Sequence, residues 1–324
     1  MDRNLALDLV RVTEAAALAA ARLMGGGDDA AVDQAAVKAL HQGLGTIAIT
    51  GTIVVGEGAE DGMEQLFIGE QIGAGGTTAD VAVDALEGPS SCAIGSYNAV
   101  SAIAVADRGT LLRVPDTYMD KLACGAEGCG VLDLDQSPTD NLRALAEKKG
   151  VYVQDLTVAI LDRPRHEKLI AEVRRAGARI RLIPDGDLQA ALATTNSRSG
   201  IDLLLGVGRA PQGVLAAAAL TCLGGEIQAR LKPSNQSEMA MLHAAGIHDI
   251  RRKYTHEQLA SGSLLFAATG VTAGDYLRGV RFVKGGAISH SVVMRSATKT
   301  VRFIEANHRF DFRPNYEEGE VAPS

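Results

Sequence analysis

The chain has 324 residues, 46% of them hydrophobic, with a formal net charge of -7 and a pI near 5.6. That length and apolar content suffice for two ordinary domains or one large layered domain, and the acidic balance lacks the footprint of a nucleic-acid or anionic-membrane binder. Aromatic content of 4%, with 36 glycines and no tryptophan, favours closely packed helices and sheets, so a phosphorylated partner has to be met by local positive charge or by metal.

Residues 3–24 place Leu5, Leu9, Val12, Ala16, Ala19 and Leu23 at three- and four-residue spacings, which predicts an amphipathic helix ended by Gly25-Gly26-Gly27. The apolar run 15–21 is too short for a membrane span, and with no export signal the expected compartment is the cytoplasm. Cys92, Cys124, Cys129 and Cys222 lack the spacing of a zinc site and read as reduced thiols. Asp28 or Asp29 caps a second helix to about Gly43, with Asp33 in its first turn, where the helix dipole alone favours an acid. Residues 47–55 read as a strand ending in the acidic glycine loop Gly56-Glu57-Gly58-Ala59-Glu60-Asp61-Gly62, either a solvated turn or a cation site. A dinucleotide reading is weaker, because no helix follows and the loop is negative.

A strand over 80–83 then runs into Asp84-Ala85-Leu86-Glu87-Gly88-Pro89-Ser90-Ser91. Asp84 and Glu87 are three apart across a turn and can face one locus; the hydroxyls of Ser90 and Ser91 follow a Gly-Pro turn. This layout suits metal ions and a phosphate. Residues 92–107 are compatible with a strand pair or a helix and strand. Residues 115–121 read as a polar loop in which Tyr118 and Lys121 are candidate substrate contacts, Lys121 being by default an exposed, solubilising residue.

A boundary is expected near 135–150, separating domains at 1–140 and 141–324. Beyond a short helix at 141–149, strands at 156–161, 180–183 and 201–207 alternate with helices at 164–177, 187–194 and 211–223, which predicts an α/β layer with a largely parallel sheet. Functional loops in such layers follow the strands. Here they carry Arg163 and Arg165, suited to bidentate phosphate binding, then Asp185 and Asp187, then the glycine-rich turn with Gly208 and Arg209 into a helix N-terminus that attracts an anion. No GxxxxGK[ST] occurs, which argues against a nucleoside triphosphate. Residues 266–272, 280–283 and 292–303 read as strands and 307–324 as a polar, frayed tail.

Several runs together carry a resemblance: Arg11-Val12-Thr13-Glu14-Ala15-Ala16, residues 51–58, Ile68-Gly69-Glu70, Val83-Asp84 with Glu87-Gly88, Pro115-Asp116 with Tyr118-Met119, and Pro164-Arg165-His166. To these add Pro184-Asp185-Gly186-Asp187, Ala216-Ala217-Ala218 before Cys222-Leu223-Gly224-Gly225, and Ala268-Thr269-Gly270. Over nearly its whole length the chain resembles the class II, GlpX-type fructose-1,6-bisphosphatases of the lithium-sensitive phosphatase superfamily.

The resemblance implies a layered α/β/α/β/α sandwich, an N-terminal metal-binding and a C-terminal substrate-binding domain, Mg2+ or Mn2+, and hydrolysis of the 1-phosphate of a phosphorylated ketose by metal-activated water. It also implies a homodimer or homotetramer working in carbohydrate metabolism of the gluconeogenic kind. By position, Asp33, Glu57, Asp84 and Glu87 match metal-binding carboxylates, and Asp61 an acid that helps activate or position water. Tyr118, Arg163, Arg165, Asp185 and Asp187 fall where such proteins hold the sugar and its distal phosphate.

Three positions depart. Pro89 stands where a threonine orients the water and its N–H helps hold the phosphate; proline supplies neither donor but suits the first position of a helix. Ser90 or Ser91 is the candidate replacement hydroxyl. Gln212, counted with the metal ligands, replaces a glutamate and removes one negative charge, and Asp29 replaces a lysine near the reacting phosphate. The expected function is a metal-dependent phosphatase of fructose 1,6-bisphosphate or a related ketose bisphosphate. The alternatives are a catalytically impaired paralogue that binds sugar phosphate as a regulatory or assembly partner, and a specialised-pathway enzyme with a changed substrate.

Overall fold

The computed structural model describes residues 4–57 and 65–312. Helices α1 (Leu5–Ala21) and α2 (Asp29–Leu44) precede β1 (Ile49–Val55), β2 (Gln71–Ile72) and β3 (Thr77–Glu87), then α3 (Pro89–Ala93), β4 (Val100–Asp107) and β5 (Tyr118–Cys124). There follow α4 (Pro138–Lys149), β6 (Thr157–Leu161), α5 (Glu167–Ala176), β7 (Arg179–Ile183), α6 (Asp187–Ala193), β8 (Leu203–Arg209) and α7 (Ala210–Leu223). The chain continues through β9 (Glu226–Leu231), α8 (Gln236–Ala244), β10 (Lys253–Thr255), α9 (His256–Leu259), β11 (Leu264–Gly270), β12 (Arg281–Val283), β13 (Gly286–Arg295) and β14 (Thr300–Arg309). No helix among the described residues is long and apolar enough to cross a membrane.

Local signals set the helix ends. The Asp28 carboxylate accepts the Ala31 N–H at 2.9 Å and starts α2. The Ser137 hydroxyl caps α4 at the Asp140 N–H, Pro138 opens it, and Gly150 closes it in the left-handed conformation that glycine tolerates.

The strands form two sheets. The first runs β12-β13-β11-β4-β3-β1-β2, with β14 added on β13; the second runs β10-β9-β5-β8-β6-β7. Helices α1 and α2 cover one face of the first sheet through Leu9, Val12, Leu40, Ile53, Val83 and Ile103. The largely apolar α7 lies between the sheets, and its run Ala216 to Ala219 is at most 2% exposed, so small side chains let both sheets approach one helix. Helices α4 and α5 close the outer face of the second sheet through Leu142, Leu145, Val158 and Val173. This is the α/β/α/β/α sandwich expected.

The topology departs from expectation in several places. The second sheet is mixed: only β7-β6-β8 is parallel, whereas β5 pairs antiparallel with both β8 and β9, and β10 antiparallel with β9. Residues 115–121 are not a single polar loop. Strand β5 begins at Tyr118, and its inward face of Met119, Lys121 and Ala123 is disguised by a charged residue. The stretch 292–303 holds the end of β13 and the start of β14, joined by a 3-10 turn with Lys299 at φ 49°, a reversal that no glycine or proline marks. The tail begins later than expected, since β14 pairs with β13 as far as Arg309. The glycine-rich turn at 206–209 is the last part of β8, and α7 starts directly at Ala210. The sheets also do not follow a cut at residue 140. Strand β5 sits in the second sheet and β11 to β14 return to the first.

Candidate active site

Strand β3 ends in an irregularity that builds the site. Residues three apart on a regular strand point to opposite faces, but Asp84 pairs with Ala102 and Glu87 with Val100, three residues set against two. The extra residue returns Glu87 to the face of Asp84. Gly88 then takes φ 81°, and Pro89 opens α3 at its first turn, as its fixed φ predicts.

A cavity of about 280 Å³ opens there between the two sheets. Its acidic side carries Asp33 from α2, Glu57 after β1, and Asp84 and Glu87 from β3, with Gln212 from the first turn of α7. Asp84 and Glu87 are 6% and 7% exposed. Glu57 Oε1 accepts the Ala85 N–H at 2.9 Å, Glu87 Oε1 accepts the Leu188 N–H at 3.0 Å, and Gln212 Nε2 donates to Asp84 Oδ2 at 2.5 Å.

Burial pushes the Asp84 carboxyl up to about 7; the Gln212 amide opposes the shift and the charges of Asp33, Asp116 and Asp187 add to it. Glu57 and Glu87 are raised well above the ordinary carboxylate range, first by burial, then chiefly by Asp84 and Asp187 respectively. Among the described residues, two buried oxygens, Glu87 Oε2 and Gln212 Oε1, have no hydrogen-bond partner. An all-oxygen donor set with orphaned, buried oxygens fits a hard divalent cation. Among the described residues, however, no three His, Cys, Asp or Glu side chains are drawn together into a ready metal-holding cluster. The acids are spread along one wall, two of them tied to backbone N–H groups. Asp61 lies outside the described residues.

The rest of the lining sets three arginines among acids. Arg163, before the 3-10 turn at Pro164–His166, donates from Nη2 to Asp185 Oδ1 at 2.8 Å. Burial raises the Asp185 carboxyl, and Arg163 works against that shift. Arg165 and Arg209 place their guanidinium carbons 5.2 and 5.6 Å from the Tyr118 ring centroid, holding the phenol by cation–π contact. Arg209 also pairs with Asp116 at 2.5 Å, and Arg165 gives two N–H bonds to Val207 O at 3.0 and 2.8 Å. Gly208 sits where a Cβ would fall 1.9 Å from Asp187 Oδ2, so the strand can pass over that carboxylate only without a side chain.

The cavity thus brings together Asp33, Glu57, Asp84, Glu87, Gln212, Tyr118, Arg163, Arg165, Asp185, Asp187, Gly208 and Arg209. Three other sequence-predicted residues sit behind or beside it. Lys121 is 1% exposed and carries no surface role; its Nζ bonds Asp187 Oδ2 at 2.7 Å from behind the cavity wall. Ser91 is buried and donates to Asp185 Oδ2 at 3.2 Å, and exposed Ser90 donates to Asp29. Neither hydroxyl lines the cavity.

Sequence reading assigned no role to Asp116 or His166, although each lies in a run that carried the resemblance. His166 is 2% exposed, with Nδ1 2.7 Å from Leu161 O and Nε2 accepting the Val207 N–H at 2.8 Å. These two bonds fix its neutral tautomer and join the ends of β6 and β8.

Residues 3–308 match the family described as bacterial fructose-1,6-bisphosphatase, glpX-encoded. A D-fructose 1,6-bisphosphatase class 2/sedoheptulose 1,7-bisphosphatase of Synechococcus sp. (strain JA-3-3Ab) is 42% identical over 96% of this chain and 97% of its own. A protein of the same description from Synechococcus elongatus (strain ATCC 33912 / PCC 7942 / FACHB-805) is 40% identical over 96% and 98%. On both the profile match and the full-length identity, the chain belongs to the glpX-encoded bacterial fructose-1,6-bisphosphatase family.

Proposed function

We propose that the protein is a metal-assisted phosphatase that removes one phosphate from a ketose bisphosphate such as fructose 1,6-bisphosphate or sedoheptulose 1,7-bisphosphate. The observation that carries this reading is one cavity of about 280 Å³ lined by three guanidinium groups and by buried acids, among them Glu87, whose Oε2 has no hydrogen-bond partner among the described residues. Mg2+ or Mn2+ would be held by Asp33, Glu57, Asp84 and Glu87, with the Gln212 amide oxygen as a neutral donor. A bound divalent ion there supplies Lewis-acid stabilisation of the phosphoryl oxygens and lowers the pKa of water.

The residues of the chain do the rest. Arg163, Arg165 and Arg209 bind the phosphate that is kept, using their fixed donor forks. Asp185 and Asp187 accept hydrogen bonds from sugar hydroxyls. Arg163 and Ser91 hold the first of these carboxylates and Lys121 the second. Gln212 steadies Asp84 through its amide N–H. Such pre-set geometry is worth more to the reaction than any single contact.

Pro89 lines the cavity with neither a hydroxyl nor an N–H, and the hydroxyls of Ser90 and Ser91 are spent elsewhere. If a water-positioning donor is lost in this way, the rate falls roughly 10²- to 10³-fold. That observation supports a second reading, an impaired paralogue that binds sugar phosphate without efficient turnover. Assembly as a homodimer or homotetramer and a cytoplasmic location are part of the same proposal.

Phosphate release from both bisphosphates with Mg2+ or Mn2+ separates the readings. Slow, metal-dependent release that rises in Pro89→Thr supports the phosphatase. No release from either compound, with metal and ligand binding intact by calorimetry, sinks it in favour of the binding protein.

A further inference from the structure

A second cavity, of about 260 Å³, opens on the outer face of the second sheet beneath the segment between β5 and α4. Arg165, Lys168 and Lys232 line it against one acid, Asp120, giving three positive charges to one negative in a chain whose net charge is -7. Lys121 also borders it, but its ammonium is taken up by Asp187. Lys232 reaches Asp120 only at 3.9 Å, and Lys168 makes no ion pair or side-chain hydrogen bond among the described residues. Leu134, Pro138 and Leu169 supply an apolar side to the same space. Donors grouped opposite carbon fit a small organic anion better than a bare ion.

A thin wall separates this cavity from the active site. Its peptide runs through Gly206 at φ 129°, where a Cβ would stand 2.9 Å from the His166 Nε2 atom, so the imidazole fills the place of a side chain. Arg165 lines both cavities. It anchors to Val207 O in the wall and lies over Tyr118 on the active-site side.

We propose that the second cavity is a regulatory site for a small phosphate monoester. Lys168, Lys232 and Arg165 bind its phosphate, and its carbon skeleton rests on the apolar side. Occupancy draws the Arg165 guanidinium away from Tyr118, so it weakens binding in the first cavity, and the coupling is reciprocal because both ligands compete for one side chain. The site stands on its own residues; the coupling rests on the sugar-phosphate reading above.

Ethylphosphonate is the probe, a phosphonate anion with a short carbon tail and no ester bond to hydrolyse. In metal-free protein with the first cavity filled by excess fructose 1,6-bisphosphate, 31P titration should still show saturable ethylphosphonate binding. Lys168→Ala with Lys232→Ala should weaken it about tenfold or more, the loss expected for charge-assisted bonds, without changing basal kcat or KM. In the active protein ethylphosphonate should raise the apparent KM to a plateau of about fivefold or more, a usual size for allosteric coupling, and the double variant should lose the plateau. Binding that disappears when the first cavity is filled, or that the double variant leaves unchanged, overturns the second site. A KM that climbs without a plateau overturns the coupling. If the protein turns over neither bisphosphate, the 31P arm alone still decides whether the site exists.

Discussion

Lys121→Met removes the positive partner from an ion pair hidden in the middle of the molecule. Lys121 is 1% and Asp187 7% exposed, and Nζ stands 2.7 Å from Oδ2. Methionine keeps most of the side-chain stem, so packing against Gly213 of α7 is largely retained and the electrostatic change dominates. The Asp187 carboxylate is left buried without its counter-charge, in a place where it already repels Glu87. Breaking one side of such a pair costs about 3–5 kcal/mol. Adding Asp187→Asn removes the stranded charge and should restore about 2 kcal/mol or more, because a neutral buried pair costs far less than a lone charge. Urea unfolding of the metal-free protein at pH 7.5, followed by far-UV circular dichroism, reads both numbers. With an m-value of about 3 kcal/mol/M the single variant should unfold roughly 1–2 M earlier, with the double variant between it and the parent. If the double variant unfolds with or before Lys121→Met, the two side chains are not coupled and the reasoning fails.

Gln212→Glu should tighten Mn2+ binding roughly tenfold, since affinity follows ligand charge, and Mn2+ electron paramagnetic resonance can measure this without turnover; unchanged affinity would remove Gln212 from the ion's surroundings. Because burial places the Asp84 carboxyl at about 7, cations should bind more strongly as pH rises through 7 and the proton leaves; a flat profile contradicts this. Burial holds His166 below its ordinary 6.5, so the folded protein favours the neutral ring. Below pH 6.5 the unfolded chain takes up that proton first. Melting temperature should therefore fall as pH drops from 6.5, and fall less steeply in His166→Gln. Gly206→Ala puts a Cβ against the His166 ring at positive φ and should cost about 3 kcal/mol, whereas Gly200→Ala, at φ 71° in open space, should cost only about 1 kcal/mol. Equal losses would show that the His166 contact is unimportant.

Elements whose pattern is local were legible in the sequence. The three-and-four spacing of α1, the Asp28 cap of α2 and the alternation from β6 to α7 all appear close to where they were expected. So do the carboxylates of β3, because a buried strand ending in two acids and a Gly-Pro turn has few other uses. What resisted reading depends on partners far along the chain. Lys121 looks like a surface lysine until Asp187 arrives beside it. Ser91 looks like a free water-orienting hydroxyl until Asp185 accepts its hydrogen bond. The bulge that turns Glu87 inward exists only in the pairing of β3 with β4, and neither strand alone announces it. Strands β9 and β10 and helix α8 escape a sequence reading because their apolar runs are short, although Gly224-Gly225 precedes β9 and Asn235 caps α8 at the Glu238 N–H.

The return of β11 to the edge of β4 sets an order on synthesis. Strand β4 is buried at every position but its last, and one of its edges stays open until residues 264–270 have been made. A growing chain on the ribosome therefore carries an unpaired, apolar strand edge through the whole of the second sheet's synthesis. Such edges recruit other strands. The second sheet can begin to pack while the first waits, so until residues 264–270 emerge the nascent chain is open to pairing with the wrong strand.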